Sequence, residues 1–279
     1  MTEPAVLVRG LSKAYGRLQA VHDLDLDVGA GETVAILGPN GAGKSTTIEI
    51  LEGHRRRDAG QVRVLGVDPA EAGRDWRAQI GIVLQEASDF GMLTVSETIR
   101  MFARCYRTAR APGELLDLVG LGATAGSRVR TLSGGQRRRL DVALGIIARP
   151  RLLFLDEPTT GFDPEARHQF WDLIRLLADD GTTILLTTHY LDEAAALADR
   201  VAVIAAGRVV AMDTPSGLTA HANAVATVRW VDADGVHEVR TAEPTAVIRQ
   251  RSAEGAELAQ LTVTRPTLED AYLQLIGLA

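Results

Sequence analysis

An α/β fold built around a parallel sheet is predicted by three stretches of this 279-residue sequence. A glycine-rich loop, Gly38 to Gly43, separates a short apolar run, Thr33-Val-Ala-Ile-Leu37, from a run that can continue as a helix, Ser45-Thr-Thr-Ile-Glu-Ile-Leu51. A second apolar run, Leu152-Leu-Phe-Leu155, ends in two carboxylates, Asp156 and Glu157, and then Pro158. Between them, Leu132-Ser-Gly-Gly-Gln136 opens a helical pattern, Arg137 to Ala148, that Pro150 stops. Short apolar runs bounded by turn formers are what strands buried on both faces of a parallel sheet look like.

The first stretch has a specific chemistry. Gly38, Pro39, Asn40, Gly41, Ala42, Gly43, Lys44 and Ser45 fit G-x-x-x-x-G-K-[ST] at every fixed position, and Thr46 continues into the helix. Glycines without a Cβ let successive N–H groups turn inward around phosphate, and the helix start adds a favourable partial charge. Lys44 is then placed for the β- and γ-phosphates, and the Ser45 hydroxyl for Mg²⁺. The expected fold is a P-loop NTPase core, with ATP and Mg²⁺ as the expected ligands.

The second stretch delivers its carboxylates at a strand's C-terminal end, where open α/β sheets bind ligands. Asp156 is the candidate partner of Mg²⁺. Glu157, one residue on, is the candidate to orient or deprotonate an attacking water. Taken alone, Asp156-Glu157-Pro158 reads equally as a polar strand exit.

The third stretch is a capped helix start. Ser133 serves as N-cap, and Gly134 and Gly135 leave backbone N–H groups open ahead of Gln136. Helix starts bind phosphate, yet the P-loop already supplies one. A second is best explained if it faces a different nucleotide, across a dimer.

With these motifs in this order, the chain resembles the nucleotide-binding subunits of ATP-binding-cassette (ABC) transporters over roughly residues 5–215. Leu132 to Gln136 matches that family's signature sequence. The resemblance implies that Gln85 is the loop glutamine that senses Mg²⁺ and touches the membrane partner. It implies that His189, in Thr187-Thr-His189-Tyr190, contacts the γ-phosphate, and that Tyr15, ahead of the P-loop, stacks on adenine. Asp163, in Gly161-Phe-Asp163-Pro164, corresponds to the loop that communicates across the dimer; Phe162 departs from the commoner leucine. Each has a plainer reading: Gln85 as a polar strand end, His189 as a neighbour of a helix start, Tyr15 as a half-buried tyrosine, and Asp163 as an N-cap before Pro164. The basic runs Arg55–Arg57 and Arg137–Arg139 read as solvated faces, although one member of the second lies close enough to the signature for an interface or phosphate-facing role.

Composition bounds the rest. Apolar residues make up 46% of the chain, as in a globular α/β protein. No apolar run approaches the ~18 residues of a spanning helix, and the start, Met1 to Arg9, lacks a secretory pattern. A soluble chain is expected, with any membrane pathway in another chain. The net charge of −6 argues against coating nucleic acid. Cys105 is the sole cysteine, which excludes intrachain disulfides and cysteine-cluster metal sites.

Segments before the P-loop, Ala5 to Val8 and Asp23 to Val28, alternate as an antiparallel β part. Residues 88–130 carry helical patterns at Val95–Ala103 and Glu114–Val119; in the family this is the helical subdomain that meets the membrane chain. Residues 184–187 and 201–204 read as further core strands, and 207–218 as a terminal hairpin and turn. From about 219 to 279 a small α+β domain is expected. It has a hairpin around Asp232-Ala-Asp-Gly235, a strand at Leu258–Thr264, and a helix capped by Thr267 with Leu268, Tyr272, Leu275 and Ile276 on one side. That ending is similar to the C-terminal domain of exporter ATPases, including antibiotic self-resistance ATPases.

The resulting expectation is an ATP-hydrolysing subunit that powers a membrane exporter. Two such domains would close head to tail, peripheral to the cytoplasmic face of the membrane, with an integral-membrane permease as a separate partner and no nucleic acid. The alternatives are a soluble ABC ATPase acting on ribosomes or DNA, a dimerisation switch with negligible hydrolysis, and an importer ATPase. No heptad tract lies between Lys44 and Asp156, which counts against a coiled-coil DNA-maintenance relative.

Overall fold

In the computed structural model, which describes residues 3–83, 90–221, 226–232, 234–253 and 258–277, alternation at the start of the chain produces an antiparallel pair. β1 (Val6–Tyr15) and β2 (Leu18–Val28) run from Val6 opposite Val28 to Tyr15 opposite Leu18. Gly16 turns the chain between them at φ 60°. Val6, Val8 and Leu11 face Leu24, Leu26 and Val28 in the interior. After β3 (Thr33–Leu37) and α1 (Lys44–Leu51), β4 (Ala59–Val64) pairs with the other edge of β1 and completes a three-stranded sheet.

The chain then alternates strand and helix: α2 (Arg74–Arg77), β5 (Ile80–Val83), α3 (Val95–Ala103), α4 (Pro112–Leu118), α5 (Gly134–Gly145), β6 (Leu152–Asp156), α6 (Pro164–Asp179), β7 (Thr183–Thr187), α7 (Leu191–Leu197), β8 (Arg200–Ala205) and β9 (Arg208–Asp213). These strands and β3 form a six-stranded sheet in the order β5-β6-β7-β3-β8-β9. β5, β6, β7, β3 and β8 are mutually parallel. β3 and β7 are buried at every position, and β6 at all but its last, because helices cover both faces. The α3 start is fixed by a reciprocal Thr94–Glu97 capping box. No helix among the described residues is long and apolar enough to cross a membrane.

Two compact units result, Met1–Met212 and Asp213–Ala279. In the second, α8 (Pro215–His221) precedes β10 (Ala226–Asp232), β11 (Gly235–Thr241), α9 (Pro244–Ala253), β12 (Ala259–Thr264) and α10 (Leu268–Gly277). The strands form an antiparallel sheet in the order β11-β10-β12, with Val228 and Trp230 buried. α8 packs on α10, whose Leu268 and Ala271 are buried. Thr267 caps α10 together with Asp270, whose carboxylate accepts from the Thr267 N–H at 2.8 Å.

Two expectations need correction. Residues 207–218 are not simply a hairpin tail: β9 is followed by a helix that begins at Pro215 and belongs with the second unit. The second unit also holds α9, a helix that the sequence pattern does not announce.

Candidate functional site

The site is assembled at the C-terminal ends of three neighbouring parallel strands, β6, β7 and β3. β3 runs straight into the phosphate-type loop. The glycines there are dictated by close approach. A Cβ at Gly38 would lie 2.3 Å from the Ile204 carbonyl oxygen, and one at Gly43 would lie 2.4 Å from that of Ala20. Gly43 also takes φ 100° at the helix start. The loop is thus pressed against β8 on one side and the β1–β2 hairpin on the other, with its own backbone shaping the cradle. This fits a phosphate group, which needs N–H groups unobstructed by side chains.

Lys44 is 7% exposed, and its ammonium donates to the carbonyls of Gly38 (2.7 Å) and Pro39 (3.1 Å). Burial holds its pKa below the usual lysine value, while the nearby Glu157 and Asp156 carboxylates oppose that shift. The cation therefore lies where two acids and the loop meet. Thr47 anchors the first turn by donating to the Gly43 carbonyl at 2.9 Å.

Asp156 ends β6 opposite Thr187 of β7, and its carboxylate accepts from the Thr187 hydroxyl. Glu157 follows in the left-handed region, at φ 43°. Its N–H donates to the Thr187 carbonyl and hydroxyl oxygens, both at 3.1 Å. That turn aims its carboxylate at His189, whose Nδ1 lies 3.4 Å from Glu157 Oε2. The Thr160 hydroxyl also reaches Oε2, at 3.3 Å. His189 is tied to the strand end through Thr188, whose N–H donates to the Ile36 carbonyl of β3 at 3.2 Å. Two residues from different strand exits are in this way set beside one another.

Tyr15 closes β1 on the hairpin that abuts Gly43. Its ring is 39% exposed and lies 5.6 Å from the Lys13 ammonium and 5.2 Å from the Arg55 guanidinium carbon. Arg57 forms a two-pronged pair with Asp68, at 2.9 and 2.6 Å. The Arg55–Arg57 run is accordingly not just a solvated face. Gln85 lies outside the described residues. Asp163 caps α6 by accepting from the Ala166 N–H at 2.8 Å.

The hydrogen bonds of Ser133 and Gln136 join them to each other and not to the Lys44 cradle. α5 packs against β5, the edge strand, while the cradle follows β3, three strand positions away in the sheet. Ser133 and Gly134 are exposed. Ser133 Oγ accepts from the Gln136 N–H at 3.2 Å while Gln136 Oε1 accepts from the Ser133 N–H at 3.0 Å. S-x-x-Q is the sequence form of this reciprocal capping box, of which the Ser133 N-cap is only half.

Two further buried groups border the site. Arg138, within the run expected to be solvated, is 6% exposed and donates to the backbone carbonyls of Asp156 and Pro158. Its signal in the sequence is its position one turn before Val142 on the buried side of α5. Glu193 of α7 is fully buried and accepts from Thr159 (2.8 Å) and the Trp171 indole (3.3 Å). Burial raises its pKa above the usual glutamate value. No spacing rule singles it out.

Comparison with known proteins places this geometry. Residues 21–160 match the ABC transporter family. The chain is 50% identical over 224 residues to the daunorubicin/doxorubicin resistance ATP-binding protein DrrA of Streptomyces peucetius, covering 78% of this chain and 68% of that protein. It is 43% identical over 219 residues to the Nod factor export ATP-binding protein I of Rhizobium johnstonii, covering 77% and 70%. A solved dimeric ATP-binding cassette in a post-hydrolysis state, bound to ADP and Pi, superposes with a TM-score of 0.67 at 26% identity, over 75% of this chain and 98% of that one.

Proposed function

The chain belongs to the ABC transporter ATP-binding family, whose members hydrolyse ATP to drive transport, and we propose that it powers an exporter through a site shared between two copies of itself. The observation that carries the reading is the convergence of the Lys44 cradle, the Asp156–Glu157 pair and His189 at adjacent strand ends, with His189 and Glu157 3.4 Å apart. Phosphoryl transfer asks mainly for positioning and charge stabilisation, and these groups provide both. Relatives named for drug resistance and for Nod factor export support the exporter assignment over ribosome- or DNA-directed ATPases.

In this reading the backbone N–H groups of the loop from Asn40 to Thr46 and the Lys44 ammonium hold the phosphates. Tyr15 supplies a flat face for adenine. Glu157 accepts a proton from, or orients, the attacking water, and His189 bonds both Glu157 and the terminal phosphate. Ser45, Asp156 and Gln85 would hold Mg²⁺. The hydroxyl and carboxylate oxygens of Ser45 and Asp156 suit that hard cation, which when bound neutralises charge on the phosphate oxygens. Ser133 to Gln136, of which Ser133 and Gly134 are exposed, would complete the site of a second copy. The permease would be a separate integral-membrane chain, met at the cytoplasmic face through the Gln85 loop and the α3–α4 region.

Glu157→Gln tests the core of this proposal. It keeps size but removes basicity, so hydrolysis is expected to slow by about 10²-fold or more while ATP still binds. With Mg²⁺ and ATP the variant is expected to elute as a dimer in size-exclusion chromatography, and ADP to weaken that dimer. Undiminished turnover would overturn the role of Glu157. A monomer at saturating ATP, even with the membrane partner, would overturn the shared site.

A further inference from the structure

We propose that Arg138 is a positioning residue that holds Glu157 in its working conformation from the signature helix of the same chain. The inference rests on the reading of Glu157 as the hydrolytic base and adds the device that orients it.

Glu157 occupies φ 43°, a left-handed conformation that is unfavourable for a residue with a Cβ and persists only where the surroundings enforce it. The peptide preceding Glu157 is gripped at both ends. Its N–H is held by the Thr187 carbonyl and hydroxyl, each at 3.1 Å. Its carbonyl, that of Asp156, accepts from Arg138 Nη2 at 2.8 Å. The same guanidinium edge reaches past Glu157, where Nε donates to the Pro158 carbonyl at 3.0 Å. One planar fork therefore brackets the residue, bonding the carbonyl before it and the carbonyl after it.

Arginine suits this task. Its two donors on one rigid edge fix two acceptors relative to each other, which a lysine ammonium on a flexible stem cannot do. Arg138 is 6% exposed, so water does not compete strongly for either carbonyl. It lies in the second turn of α5, the helix that Ser133 and Gln136 cap. A displacement of that helix start would reach the Glu157 backbone through the Arg138 side chain. In a dimer whose partner nucleotide touches Ser133 to Gln136, engagement of one site would thereby adjust the base of the other.

The test uses the full-length chain with Arg138→Met, which keeps a long apolar stem and removes the donors, and Arg138→Lys, which keeps a cation but loses the fork. Three readouts are taken. Hydrogen exchange of the nucleotide-free protein is expected to show the Glu157 amide exchanging at least about tenfold faster in Arg138→Met, with Arg138→Lys intermediate. Steady-state hydrolysis is expected to lose about tenfold or more in kcat with KM for ATP changed less than about threefold, and lysine to restore part of the loss. On a Glu157→Gln background, single-turnover hydrolysis is expected to fall no further when Arg138→Met is added, since a group acting through Glu157 has nothing left to position.

Wild-type exchange and kcat in a folded Arg138→Met chain would overturn the inference. So would a rate loss that multiplies fully on the Glu157→Gln background, which would mark Arg138 as acting on the fold or on another group. If Arg138→Met does not fold, Arg138→Lys carries the same three readouts, and wild-type behaviour there overturns the fork. Undiminished turnover in Glu157→Gln alone would instead overturn the underlying assignment of the base, and is distinguished by that single variant.

Discussion

Glu52 shows what burial does to a single carboxyl in this protein. It is 4% exposed at the end of α1, and burial, assisted by the Asp156 and Glu49 carboxylates, raises its pKa from 4.5 to about 8. The folded state therefore keeps a proton that the unfolded chain releases near pH 4.5. The stabilisation is fully present below pH 4.5 and is lost as pH rises through 8, at up to about 1.4 kcal/mol per pH unit in between. Glu52→Gln removes the titration. Wild type is expected to lose stability relative to this variant between about pH 5 and pH 8, measured by urea unfolding across the range; a constant difference would show that Glu52 is not protonated in the fold. Tyr15 makes a different residue-scale case. Its exposed ring, flanked by Lys13 and Arg55, is a platform that packing alone does not require. If adenine stacks there, Tyr15→Ala is expected to raise the ATP dissociation constant several-fold, about 1 kcal/mol, and Tyr15→Trp to retain affinity. Equal affinity in the alanine variant, measured by nucleotide titration, would return Tyr15 to a structural role.

At the scale of elements, the phosphate-directed motifs lie on the loop from β3 into α1, at the exits of β6 and β7 and at the start of α5, all within Met1–Met212. We propose that the second unit is accessory to catalysis. A chain ending at Met212 is expected to bind ATP with a dissociation constant within about threefold of the full chain; a folded truncation that cannot bind nucleotide would contradict the division. The elements themselves differ in how readable they are. β3 and β6 are legible because burial on both faces leaves an unbroken apolar run, and α3 because its apolar residues recur at helical spacing behind Thr94. α9 is not, because Ala246, Val247 and Ile248 are consecutive and mark no single helical face. α8 is hidden by Pro215, Ser216 and Gly217, which have the composition of a turn. Pro215 is in fact at a helix start, and a Cβ at Gly217 would lie 2.4 Å from the Asp213 carboxyl carbon, so that side chain would have to move to admit one. Within the site, motif spacing points to Lys44, Asp156 and Glu157, since their chemistry is written in adjacent residues. The contacts of Arg138 and Glu193 depend on how α5 and α7 pack on the β6 exit. That is tertiary information, and no local pattern carries it.

For the whole molecule, the decisive question is whether one chain contains a complete site. We propose that it does not. The Lys44 cradle follows β3 in the sheet interior, while the Ser133–Gln136 cap, exposed at Ser133 and Gly134, sits on a helix packed against edge strand β5. Two phosphate-seeking helix starts in one chain, held apart by the sheet, are reconciled if each serves a different nucleotide in a head-to-tail pair. Mixing two defective chains tests this. Lys44→Ala removes the cation of the cradle, and Ser133→Arg places a bulky charge at the cap. Each homodimer then carries a defect in both sites. In the mixed dimer, one site combines the two substitutions and the other has neither. Partial recovery of ATP hydrolysis on mixing, rising toward equimolar ratio, is the expected outcome. A single-chain site predicts no recovery at any ratio, because every chain is then defective by itself. If both variants are folded, exchange freely and stay inactive, Glu157→Gln separates the remaining cases. A nucleotide-dependent Glu157→Gln dimer that Ser133→Arg abolishes would mean that the sites are shared but must both be intact. A dimer indifferent to Ser133→Arg would place the signature outside the interface.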